Sequence, residues 1–191
     1  RGNQFRHIAT IAVDPDITYT YFNFRDPLVG GLSKEKIALR RAIIMAYNLD
    51  EEIRVLRKHQ AVAAEMPIPQ GVVGHDPSYR SINRYDPELA NKLLDYFKYT
   101  RGKDGFRTLP DGKPLVLRYA AGTAAIDREF NELWKKSMDA IGLRIEFQVE
   151  IVKADGSVEV AEPAGQYECA ECGSDDHPTS ECQAKPDGST I

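Results

Sequence analysis

The sequence predicts an α/β fold, a layered arrangement with some parallel pairing and right-handed crossovers. Three observations lead there. Segments with helical spacing of apolar residues are separated by β-rich runs of strand length. Leu143, Ile145, Phe147, Val149 and Ile151 alternate strictly with polar or smaller neighbours. Capping and stop residues stand at the segment boundaries. With 191 residues, 42% of them apolar, the chain can bury one ordinary core and carry a small appendage.

In chain order, Ile17, Tyr19, Tyr21 and Asn23 alternate with Thr18, Thr20, Phe22 and Phe24, the pattern of a strand covered on both faces that ends at Asp26-Pro27. Ser33 caps the next helix, with Ile37, Ile44 and the alanines between them as its buried stripe through about Tyr47. Asp50 is the expected cap of a second helix, with Glu51 and Glu52 in its first turn, reaching about His59. Pro67, Pro69, Gly71, Gly74 and Asp76-Pro77 make the next stretch a long ordered loop. Asp86 and Pro87 restart a helix carrying Leu89, Leu93, Leu94 and Phe97. After the Asp111-Gly112 turn, Leu115 to Tyr119 reads as a buried strand. A fourth helix, near Ala125 to Ile141, turns Phe130, Leu133 or Trp134, Met138 and Ile141 inward and stops at Gly142. The alternating run from Leu143 is a strand, and residues 153–157 turn it back onto Val158 to Val160 as a hairpin.

The net charge of -4 is unevenly placed: residues 151–191 hold nine acidic and two basic residues, and the first 150 hold 23 basic against 20 acidic. Neither part has the concentrated basic face of a nucleic-acid binder. The strongly apolar stretch Ala42 to Ala46 is far too short to span a bilayer. His7, His59 and His75 lack a partner at a catalytic spacing, and phosphate-loop, dinucleotide and nucleophile-elbow motifs are missing, so an enzyme is not expected.

The series TYTYFNFRDPLVGG (18–31), KIALRRAIIMAYNLDEEIRVLRKHQA (36–61), PIPQGVVGHDPSYRS (67–81), YDPELANKLLDYFKY (85–99), LPDGKPLVLRYA (109–120) and ELWKKSMDAIGLRIEF (132–147) resembles the C-terminal lobe of the family 5 extracellular solute-binding proteins, the peptide and nickel receptors of bacterial ABC transporters. The resemblance implies a partial, type II periplasmic-binding-protein-like lobe over residues 1–150, followed by an irregular tail over 151–191. It implies capture of a peptide or similar small solute without covalent chemistry, no cofactor in the lobe, and an ABC permease as membrane partner. It also implies a missing N-terminal lobe and a periplasmic or extracellular place, lipid-anchored in the full-length protein; this chain is read as a piece of such a receptor. By position, Tyr21 and Asn23 lie where the family's strand runs toward the ligand cleft. His59 stands where relatives look to carry Gly. Of an Asp-rich, calcium-loop-like run in relatives only Asp104 remains in residues 102–107, too few oxygens for Ca²⁺.

Cys169, Cys172, His177 and Cys182 have the C-x2-C-x4-H-x4-C spacing of a CCHC zinc knuckle, whose three thiolates and imidazole complete a tetrahedral Zn²⁺ site. Ala170, Asp175, Asp176 and Glu181 stand where knuckles that bind nucleic acid place aromatic and basic residues, so nucleic acid is not an expected partner. Two readings of this segment stand: a zinc module, or an acidic tail in which the spacing is accidental. The corresponding rival for the whole chain is a small interaction protein that uses the CCHC tail to hold a protein or nucleic-acid partner.

Overall fold

Ser33 opens the first helix as its position requires: in extended backbone, its side chain accepts the Lys36 N–H, and α1 runs Lys34–Ala46. The computed structural model describes residues 14–152 and 158–161. After α1 come α2 (Leu49–Glu51), which continues as a π-helical turn (Glu52–Leu56), α3 (Pro87–Tyr96), β1 (Val116–Ala121), α4 (Ala125–Ala140), β2 (Arg144–Val152) and β3 (Val158–Ala161). The strands form one sheet in the order β1-β2-β3. β2 and β3 are antiparallel, Val149 opposite Ala161 and Val152 opposite Val158, the expected hairpin. Among the described residues no helix is long and apolar enough to cross a membrane.

The described residues divide into a helical unit, 14–117 with 124–146, and a sheet unit, 118–123 with 147–152 and 158–161. In the sheet unit Tyr119 and Phe147 meet edge to face at 5.7 Å. In the helical unit α1 packs on α3, and α4 on α1 and the π turn. The buried face of α1 is Ala38, Leu39, Ala42, Ile43 and Ala46; it meets a core that includes Ala90 and Leu94 of α3 and Leu133, Trp134 and Met138 of α4. Ile37 is 38% exposed and Ile44 half-buried, which corrects the expected stripe. The small side chains at 38, 42 and 46 lie on the same side as Leu39 and Ile43, and that flatter face admits the neighbouring helices more closely than one built on the isoleucines. Leu89 of α3 is likewise half exposed, the inner face being Ala90 and Leu94.

The helix ends follow local chemistry. Asp86 accepts the Leu89 N–H ahead of Pro87. α4 closes in a Schellman motif: Leu143 N–H donates to Met138 O, Gly142 N–H to Asp139 O, and Gly142 takes a φ of 71°. The end of α3 repeats it with Tyr99 on Leu94 and Lys98 on Asp95, but here Lys98, not glycine, holds the positive φ of 64°. The second helix departs from expectation. Its cap is Asn48, whose Oδ1 accepts the Glu51 N–H, not Asp50. Only Leu49–Glu51 are α-helical before the π turn. His59 donates its N–H to Ile53 O, and Lys58 and His59 both take positive φ, 50° and 61°. The left-handed backbone at His59 is one that glycine adopts without a Cβ penalty.

Two buried side chains tie the helical unit together. Tyr99, 2% exposed, donates its hydroxyl to Glu35 O at the start of α1. Arg107, 3% exposed, donates to Ile141 O, Tyr99 O, Asn91 Oδ1 and Asp95 Oδ1, joining the end of α3 to the turn after α4. Burial, and then the Glu35 charge, push the Tyr99 phenol up to about 12 from 10.0. Because the folded value lies above the unfolded one, this contribution to stability is full below pH 10 and is lost as pH rises toward 12. Tyr99→Phe is therefore expected to flatten the alkaline fall in denaturation midpoint over that window; an unchanged fall would exclude Tyr99 as its source.

Candidate functional site

The segment carrying Tyr21 and Asn23 is not a strand. Residues 17–23 form no ladder with any described strand, and Tyr19 and Tyr21 are 72% and 77% exposed. The expected strand is thus corrected: alternation marks what a strand could bury, but only a partner's backbone groups make it one. The two tyrosine rings lie 6.4 Å apart, tilted at 48°. Asn23 begins a tight turn in which its Oδ1 accepts the Arg25 N–H and its backbone carbonyl accepts that of Asp26.

Behind this segment the turn is fixed. The Asp26 carboxylate accepts the N–H groups of Leu28 and Val29, and Gly30 N–H donates to Asp26 O. Arg40 of α1, 8% exposed, donates to the carbonyls of Val29 and Gly31 and places its guanidinium 4.6 Å from the Phe24 ring centre. Gly30 leaves no room for a side chain: a Cβ there would lie 2.3 Å from Phe24 O and 2.5 Å from Asp26 O.

The same segment also walls a groove. Asp16 and Ile17 line a cavity of about 360 Å³ together with residues of the 62–80 loop, among them Met66, Ile68, His75 and Asp76. The loop is held by its own polar groups. His75 Nδ1 lies 2.8 Å from Ile68 O and so carries the proton it donates. Glu65 accepts the Ser81 N–H, and Asp76 accepts the N–H and hydroxyl of Ser78. The Ser78 hydroxyl, followed by its N–H, holds the Asp76 carboxyl below its usual range. The loop was readable as ordered from its prolines and glycines; that Asp16 and Ile17 close a groove against it was not, because the contact is long-range.

His75 packs the loop and Trp134 packs the core, stacked on Tyr47 at 4.2 Å. Asp104 is engaged by the Phe106 N–H and by Arg144. Among the described residues no cluster of His, Cys, Asp or Glu could hold a metal. Cys169, Cys172, His177 and Cys182 lie outside the described residues.

Residues 5–170 match the bacterial extracellular solute-binding proteins, family 5 Middle. The chain belongs to this family. The match starts ahead of Thr18 and runs beyond Phe147, the two ends of the landmark series; it takes in Cys169 but not Cys172, His177 or Cys182. Among solved structures, the family 5 chain is similar to a periplasmic oligopeptide-binding protein of an oligopeptide ABC transporter from Thermotoga maritima: 26% identity, 64% of this chain, 24% of that one, TM-score 0.52. Two more share its fold. The oligopeptide-binding protein AppA from Bacillus subtilis, in complex with a nonapeptide, is 14% identical over 67% of this chain and 25% of its own, TM-score 0.59. NikZ from Campylobacter jejuni, in complex with Ni(L-His), is 17% identical over 75% and 30%, TM-score 0.59. No curated protein matches the chain. The fold is therefore a partial α/β lobe of the type II periplasmic-binding-protein class, and the chain spans about a quarter of the length of its first solved relatives.

Proposed function

We propose that this chain is part of the substrate-binding component of an ABC importer, which captures a peptide or similar small solute non-covalently outside the cytoplasmic membrane and delivers it to a permease. The family match over residues 5–170 carries this reading. Lipid anchoring and an N-terminal lobe belong to the full-length protein in the same reading, and catalysis to neither. Tyr21 and Asn23 face the ligand or the partner lobe: both are exposed, and a fixed turn anchors the segment behind them. A lobe cannot enclose a ligand alone, because the closed state gains its contacts from both sides. The isolated chain is therefore expected to show no micromolar peptide binding in titration calorimetry.

The direct test replaces the corresponding segment of the Thermotoga maritima relative by residues 5–170 and measures peptide binding by the chimera. Retained binding that falls about tenfold in Tyr21→Ala or Asn23→Ala supports the reading and both residues. A folded chimera without binding overturns it.

For the tail we propose a zinc site made by Cys169, Cys172, His177 and Cys182, supported by their ligand types and spacing. One equivalent of zinc, lost in Cys172→Ser, is the expected result of metal analysis; zinc-free protein purified under reducing conditions with zinc supplied excludes it.

A further inference from the structure

We propose that the groove between residues 16–17 and the 62–80 loop is a subsite for a peptide side chain with an apolar stem and a cationic end, lysine or arginine. This rests on the solute-binding reading and deepens it. Shape and charge point the same way. Ile17, Val62, Met66 and Ile68 give the groove apolar walls, and its cavity of about 360 Å³ has room for one long side chain. Its charged lining is Asp16, Glu65 and Asp76 against Arg80.

The arginine does not neutralise the carboxylates. Arg80 turns its guanidinium onto Pro77 O and Tyr79 O, at 2.8 and 2.7 Å. His75 spends Nδ1–H on Ile68 O. Glu65 uses Oε2 for the Ser81 N–H and for Arg84 at 3.7 Å, and Asp76 uses Oδ1 for Ser78. Glu65 Oε1 has no hydrogen-bond partner among the described residues, and the Asp76 carboxylate, held by Ser78 and the Tyr79 N–H, keeps its negative charge facing the groove. A cationic end finds acceptors there that an acidic or neutral one does not. Asp16 and Ile17 also stand on the same stretch of chain as Tyr21 and Asn23, so a peptide lying along that stretch can place one side chain in the groove.

The test titrates the isotope-labelled full chain with Ala-Lys-Ala, Ala-norleucine-Ala and Ala-Glu-Ala, following backbone amides by NMR, which reads millimolar binding. The lysine peptide is expected to shift amides of residues 62–80 and to bind roughly three- to sixfold more tightly than its norleucine counterpart. That preference should vanish in the double variant Glu65→Gln, Asp76→Asn, whose amides keep the loop's acceptors. Equal affinity for all three peptides, or shifts confined to residues 18–24, overturns the subsite and leaves the receptor reading standing. Absence of any shift also overturns it, and the chimera then decides the receptor reading separately.

Discussion

Arg107→Met is expected to lower the stability of the helical unit by roughly 3 kcal/mol, a fall in melting temperature of about 6–12 °C. Methionine fills much of the stem's volume but leaves Ile141 O and Tyr99 O without the donors they have in a buried place. Unmet acceptors, more than a lost ion pair, account for the cost. The Asp95 partner is 65% exposed, whereas the Arg107 side chain is 1% exposed. Asp95→Asn, which keeps an acceptor oxygen at the exposed end, should therefore cost under about 1 kcal/mol. Thermal melts of the two variants decide between the explanations: equal losses would assign the energy to the charge pair instead.

Gly30→Ala is expected to cost about 3 kcal/mol, as an overpacked site whose neighbours are backbone. The added carbon meets Phe24 O and Asp26 O, which cannot swing aside as a side-chain end would. The turn from Asn23 must open, so amide shifts should spread back to Asn23 and forward to the Arg40 contacts. Gly112→Ala is the control. Its φ of 83° is strained for alanine, but nothing lies within 4 Å of the new atom, so about 1 kcal/mol is expected. A loss at Gly30 no larger than at Gly112 would show that the turn yields easily.

What could be read from the sequence was what is decided within a few residues. Ser33, Asp86 with Pro87, and Gly142 each mark a helix end because the cap is made by the neighbouring backbone. The alternation in β2 and the return of β3 are similarly local. Residues 17–24 misled because their alternation is compatible with a strand that only a partner can complete. The π turn was hidden because one extra residue in a helix leaves no compositional mark. For the site, Tyr21 and Asn23 are proposals from position in the family, and both are exposed. The groove was not legible, since Asp16 and Ile17 meet Met66 and Ile68 only after the loop has folded on itself.

Trp134 is the chain's single tryptophan, and its ring lies on Tyr47, five residues ahead of Glu52, whose carboxylate takes the Tyr47 hydroxyl at 2.6 Å. Its emission is therefore a built-in optical probe of where α1, the π turn and α4 meet. The sheet unit has no indole in its described residues and contributes to circular dichroism without contributing to that signal. Denaturation curves recorded by the two methods will superimpose when both units melt as one cooperative body, and will separate when they do not.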